Sequence, residues 1–250
     1  DNVPYIPKKS LSISLDGVAE KDFTMVFGFP GKTTEYLPGA AVEQIVNVND
    51  PVKISVRDKA LAVIDGFMRR DEQIKIQYAA KYASISNSWK KWKGEVLGLT
   101  RTNAVDKKKA FEAEFQKRVD ANPQWKTQYG SLLSDLNAAY AELRPYGELR
   151  DYHNEIITRI ELFIVYGQLR LLDRARTSPN YNTALATFKE WQKGFYPEYS
   201  AVVDRKLFET LIPMYPSSRT KNIADISKLT EDIYNATDLD DAQKSMNMAN

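Results

Sequence analysis

Ile74-Lys75-Ile76-Gln77-Tyr78-Ala79-Ala80-Lys81-Tyr82-Ala83-Ser84-Ile85-Ser86-Asn87-Ser88-Trp89-Lys90-Lys91-Trp92 is the stretch on which the fold turns. Its large residues Ile74, Tyr78, Tyr82, Ile85, Trp89 and Trp92 recur at steps of four, four, three, four and three, the repeat of one helix face. A strand would alternate every second residue. Upstream, Val56, Ala60, Val63, Ile64 and Phe67 make a similar stripe behind Asp50-Pro51, where proline suits a helix's first turn. Downstream come Phe111, Phe115 and Val119, stopped by Asn122-Pro123, and then Leu132, Leu133, Leu136, Ala139, Tyr140 and Leu143, stopped by Arg144-Pro145. From Leu149 to Leu172 several faces are apolar, so a helix there belongs at the centre of a bundle. Two further helices are expected over about 181–194 and 199–212, with Pro179 and Pro197 in the breaks, before a polar C-terminal stretch. Short breaks between long helices imply antiparallel neighbours, so residues 41–250 read as an all-helical domain.

Residues 1–40 follow another rule. Leu11, Ile13 and Leu15 alternate with Ser12 and Ser14, Asp16-Gly17 punctuates, and Phe23-Thr24-Met25-Val26-Phe27 is β-branched and aromatic: two strands. Two short strands are marginal alone, so their sheet partners are expected in sequence outside this chain. The chain starts Asp1-Asn2-Val3-Pro4 without an initiator Met, from which a removed natural start is expected.

Composition narrows the chemistry. With 35 Lys and Arg against 33 Asp and Glu in 250 residues, no global field attracts nucleic acid or an anionic membrane. Cysteine is absent, which removes thiolate metal sites and cysteine nucleophiles, and the one histidine, His153, cannot make a two-imidazole zinc site. No metal or cofactor is expected. His153 lies inside a helix, and no glycine-framed serine accompanies it, so it reads as an ordinary hydrogen-bonded residue. Arg159, Glu161 and Arg170 interrupt the 149–172 run and exclude membrane insertion there.

Gly28-Phe29-Pro30-Gly31-Lys32-Thr33 ends like a phosphate-binding loop, but Val26 stands where the first glycine is needed and Pro30 removes a cradle N–H; it reads as a turn. Lys90, Lys91 and Lys93 interleave with Trp89 and Trp92, yet the tryptophans continue the buried stripe and the lysines, like Lys107-Lys108-Lys109, read as a solvated face. The carboxylate pairs Asp71 and Glu72, Asp151 and Glu155, and Asp240 and Asp241 read as helix-terminal and surface charges. Asn87 is more informative. It lies about 200° round the helix from Ile85 and shares its face with Ala80, Ala83 and Ser84, small residues that admit either a second helix or a ligand on the amide.

The stretch Asp22-Phe23-Thr24-Met25-Val26-Phe27-Gly28-Phe29-Pro30-Gly31-Lys32-Thr33-Thr34-Glu35-Tyr36-Leu37-Pro38 resembles a signature of the bacterial serine dipeptidyl-peptidases of the dipeptidyl-peptidase 7 and dipeptidyl-peptidase 11 type. Asn2-Val3-Pro4-Tyr5 with Pro7-Lys8, Arg57-Asp58-Lys59-Ala60-Leu61, and the run from Lys81 to Trp92 resemble further blocks of that family in the right order. Lys32 departs from the family's usual Arg and loses the guanidinium fork. The resemblance implies a chymotrypsin-like double barrel with a His-Asp-Ser triad, capped by an inserted helical domain, in an enzyme that releases dipeptides from free N-termini. Residues 1–40 would be the end of the first barrel and 41–250 an incomplete helical cap domain. The fold class is thus mainly α, with a short β segment in front. The triad would lie outside this chain, which leaves it no catalytic residue of its own. The family's cap-domain asparagine, which hydrogen-bonds the substrate's N-terminal amine, falls on Asn87. Implied partners are a peptide with a free N-terminus, the remainder of the peptidase chain and, for the parent, a second copy; the implied location is the periplasm or exterior of a Gram-negative bacterium. A hinge near Pro38-Gly39 would let the cap move. The other reading the residues allow is a free-standing helical binding or scaffold module with residues 1–40 as a β docking arm.

Overall fold

The computed structural model describes residues 6–25, 34 and 36–215, and the chain divides into two units, Asp1–Tyr36 and Leu37–Asn250. In the first, no strand forms among the described residues. Leu11, Ile13 and Leu15 are 90, 86 and 92% exposed, and the strands expected here are not formed, since without a ladder to join the N–H and C=O groups gain nothing from an extended run. At Asp16 the chain bends, with Gly17 at φ 73°, a region that favours glycine, and Ser14 Oγ donating to Asp16 Oδ2 at 3.0 Å. Val26, Phe27 and the segment Gly28 to Thr33 lie outside the described residues.

The second unit is mainly helical. Its elements are α1 (Gly39–Gln44), a π turn (Ile45–Asn49) that leads into α2 (Asp50–Met68), α3 (Glu72–Arg101), α4 (Ala104–Ala121), α5 (Pro123–Tyr129), α6 (Leu132–Ile157), α7 (Leu162–Ala175), α8 (Tyr181–Phe195) and α9 (Ala201–Leu211). Several starts are written locally. Asp71 caps α3 by accepting from the N–H groups of Gln73 and Ile74 at 2.8 and 3.1 Å, so this carboxylate is helix-terminal as expected. Asn122 caps α5 in the same way, with Pro123 in its first turn.

α2 is central. Its Val56, Ala60, Leu61 and Ile64 pack with Tyr78 and Ile85 of α3, Ile156 of α6, Ile160, and Val203, Leu207 and Leu211 of α9 in one apolar core. Phe111, placed on the α4 stripe by its spacing, is 72% exposed, while Val119 of the same stripe is buried.

Two helix boundaries differ from expectation. Pro145 does not end a helix: α6 runs through it from Leu132 to Ile157. A proline costs about 3 kcal/mol in a helix interior. Here both halves are held by neighbours, since Gln44 Nε2 donates to the Tyr140 carbonyl and Gly147, Asp151, Glu155 and Ile156 are buried beyond the proline. Packing outweighs the local penalty. Conversely, the 149–172 run is not one central helix but the end of α6 and the start of α7, parted at Thr158–Glu161. α7 is peripheral, with Ile164, Leu169 and Leu171 exposed. It pairs with α8, whose Phe188, Trp191 and Phe195 continue to Tyr199 in a row of rings with centroids 5.7, 4.7 and 5.1 Å apart. Among the described residues no helix is long and apolar enough to cross a membrane.

Candidate functional site

α3 shows two faces. Tyr78 and Ile85 are buried against α2, while Ala80, Ala83, Ser84 and Asn87 are exposed on the other side. No helix among the described residues covers Asn87, and its amide has no hydrogen-bond partner there. An exposed primary amide offers one acceptor oxygen and two N–H donors, and its small neighbours leave backbone-close space around it.

Behind that face the interior is polar. Arg57 of α2, only 7% exposed, donates from Nε to Glu155 Oε2 at 2.7 Å, from Nη2 to Glu155 Oε1 at 3.0 Å and from Nη1 to the Ile85 carbonyl at 2.9 Å. Its guanidinium stands 4.4 Å from the centroid of the Trp92 ring. One side chain thereby ties α2, α3 and α6, using a planar fork that a lysine cannot reproduce. Arg159 lies nearby with a buried Nε lacking a partner; burial first, and Arg57 second, lower its affinity for its proton, with Glu155 opposing.

A second cluster lies at the start of α2. Lys53 Nζ is 3.4 Å from Asp50 Oδ1 and 3.7 Å from Asp151 Oδ2, which also accepts from Asn49 Nδ2 at 2.7 Å. Asp50 Oδ2 is buried without a donor, and the negative charge of Glu95, itself paired with Lys91, acts on the same carboxyl. Burial chiefly, and Glu95 further, push Asp50 up to about 6 despite Lys53 and Lys91. A third cluster joins Tyr78 Oη to Glu161 Oε2 at 2.7 Å and Lys81 Nζ to Glu161 Oε1 at 2.6 Å. Burial, then Glu161, push the Tyr78 phenol well above its ordinary range.

Asp151 and Glu155 are therefore not surface charges: both are buried and partnered, a correction to the reading from sequence. Their i,i+4 spacing puts them on one face of α6, and Ile156, on the adjoining side of the helix, enters the core beside them. The signal that could have found the cluster was Arg57 itself, a charge set among Val56, Ala60, Leu61 and Ile64. Asp240 and Asp241 lie outside the described residues. Lys90, Lys91 and Lys93 are exposed, Trp89 Nε1 donates to Asp58 Oδ1 at 2.6 Å, and Lys93 Nζ sits 4.2 Å from the Trp89 ring centroid. His153 Nδ1 is 3.0 Å from Tyr215 Oη, so the chain's one imidazole is engaged by a phenol. Among the described residues no three His, Cys, Asp or Glu side chains gather as metal ligands. A cleft of about 720 Å³ opens between α1, α4 and α6, but its charges largely satisfy one another: Lys109 Nζ lies 2.8 Å from Glu43 Oε2, and Glu112 Oε1 accepts from the Gly39 N–H at 2.6 Å.

Fold and site together define a mainly helical unit that, among its described residues, presents a small-residue face and pairs no histidine with a serine. The sequence profile of the Peptidase S46 family matches residues 1–248, and the chain belongs to that family. It is 46% identical over 233 residues to an Asp/Glu-specific dipeptidyl-peptidase of Flavobacterium psychrophilum, covering 92% of this chain and 32% of that protein. A protein of the same description from Capnocytophaga gingivalis is 43% identical over 251 residues, covering 94% of this chain and 34% of its own length. Dipeptidyl-peptidase 7 of Phocaeicola vulgatus is 29% identical over 220 residues, 86% of this chain and 30% of that protein. The chain thus spans about a third of the length of the curated relatives it matches. The crystal structure of Porphyromonas endodontalis DPP11 in complex with the dipeptide Arg-Glu matches with a TM-score of 0.59 at 21% identity, over 77% of this chain and 29% of that one, a likeness of fold.

Proposed function

We propose that residues 41–250 form the helical cap of a serine dipeptidyl-peptidase, that residues 1–40 supply strands to its first barrel, and that the exposed face of α3 lines the site where a peptide's free N-terminus is held. In this reading Asn87 accepts a hydrogen bond from the substrate's ammonium through its amide oxygen. A neutral acceptor does this without burying a second charge, and Ala83 and Ser84 leave room for the peptide backbone. The observation that supports the reading most is the family match across residues 1–248, joined to the exposed, unpartnered amide of Asn87. Hydrolysis would need a serine, histidine and aspartate contributed from outside this chain. A preference for Asp or Glu as the penultimate residue is proposed from the descriptions of the two relatives at 46 and 43% identity, and export to the periplasm from the resemblance to exported enzymes.

The test is Asn87→Ala in the full-length gene product, assayed on dipeptidyl amides with a free amine. Loss of one hydrogen bond to an ammonium should raise KM about tenfold with kcat within about twofold. An unchanged KM overturns the assignment of Asn87, and faster cleavage after Leu than after Asp overturns the proposed acidic preference.

A further inference from the structure

We propose that Arg57 is a positioning residue for Asn87, acting through the turn of α3 that carries Ile85; this rests on the reading of Asn87 as the amine contact. The Ile85 carbonyl lies within regular helix, where it accepts from the N–H four residues on, so it needs no second donor to be satisfied. Nη1 of Arg57 occupies its other lone pair at 2.9 Å. The contact therefore adds a tether rather than repairing an orphan.

The tether is stiff because the guanidinium has little freedom. Glu155 of α6 grips two of its nitrogens at 2.7 and 3.0 Å, and the Trp92 ring, two turns along α3 from Ile85, covers it at 4.4 Å. Ile85 and Asn87 share one turn on nearly opposite faces, so whatever fixes the rotation of that turn from behind fixes where Asn87 points in front. The leverage is large: a helix rotation of about 20° swings a group at the side-chain radius of about 5 Å through roughly 2 Å. That exceeds the distance over which a hydrogen bond survives. Core packing alone resists rotation less sharply, because apolar contacts are non-directional.

Removing Arg57 alone would strand the Glu155 carboxylate, so the informative variant is the double change Arg57→Met with Glu155→Leu, which replaces a buried pair by apolar groups of similar size and is expected to fold. In the full-length gene product its melting temperature should stay within about 3 °C of wild type. Its KM for free-amine dipeptidyl amides should rise about three- to tenfold with kcat nearly unchanged. Its preference for a free dipeptide over the N-acetylated dipeptide, read as the ratio of inhibition constants, should narrow by a similar factor. Arg57→Lys, which keeps the charge and loses the fork, should shift both readouts the same way and decides the matter if the double variant fails to fold. Unchanged KM and unchanged amine preference in a folded variant, with Asn87→Ala raising KM, overturn the positioning role alone. If Asn87→Ala also leaves both readouts unchanged, the amine-site reading falls and this proposal with it.

Discussion

Asp50 shows how one residue can hold a charge balance that sequence conceals. It stands in the first turn of α2, where a carboxylate normally favours the helix dipole, yet it is buried, with one oxygen undonated and the charge of Glu95 acting against its own. Its carboxyl is pushed up to about 6, chiefly by burial, from an ordinary value of 3.8. Between about pH 4 and pH 6 the unfolded chain releases this proton while the fold retains it, so stability falls as pH rises across that window and stays low above it. Asp50→Asn removes the titration and keeps the shape. It should raise stability at pH 7.5 by roughly 2–3 kcal/mol, two pKa units at about 1.4 kcal/mol each, and change it little at pH 4. Urea unfolding at the two pH values checks this; an equal shift at both would mean that Asp50 does not titrate in the window. Arg57 and Glu155 belong to the same scale. Nothing in an i,i+4 pair of acids says whether its face is wet, and only the partner 98 residues away in sequence settles it.

Among elements, legibility followed the reach of the interactions. α2, α3 and α4 were readable because period, first-turn proline and the Asn122-Pro123 stop are all local. The errors fell where the deciding partner was remote. Pro145 stays helical because of neighbours on either side of it, and the gap between α6 and α7 is set by Asp204 of α9. That carboxylate, wholly buried, accepts from the Glu161 and Leu162 N–H groups at 2.6 and 2.9 Å and from Tyr199 Oη at 3.2 Å. It is a helix cap supplied by a chain segment 42 residues downstream, which no window of sequence displays. Asp204→Ala should therefore cost about 3 kcal/mol or more, because two N–H groups lose their acceptor in the interior. Amide hydrogen exchange should show the damage first at the start of α7. Uniform loss of protection across α2 and α3, with α7 no worse, would contradict a capping role. The candidate site divided in the same way: the exposed face of Asn87 was legible from helical spacing, whereas the guanidinium behind it was not.

At the scale of the whole molecule the question is what the described apolar residues ahead of Leu37 contribute to stability. The helical unit has its own core, running from Val56 of α2 to Leu211 and Ile212, and every residue in that core belongs to Leu37–Asn250. In the other unit Leu11, Ile13, Leu15, Val18 and Phe23 are all at least 74% exposed, so they withdraw almost no apolar surface from water. Burial contributes about 25 cal/mol per Å² of apolar area, and where so little is withdrawn the term is small. Replacing Leu11, Ile13 and Leu15 together by Ser should accordingly give a chain that melts within about 2 °C of the original and keeps its helical circular dichroism. It should also be the more soluble of the two, because an alternating Leu-Ser-Ile-Ser-Leu segment without a neighbour is a template for edge-to-edge association. A loss of more than about 5 °C on this substitution would mean that these residues find sheet partners within the chain in solution. The isolated strand segment would then have to be abandoned, and with it the proposal that residues 1–40 complete a barrel built from sequence elsewhere.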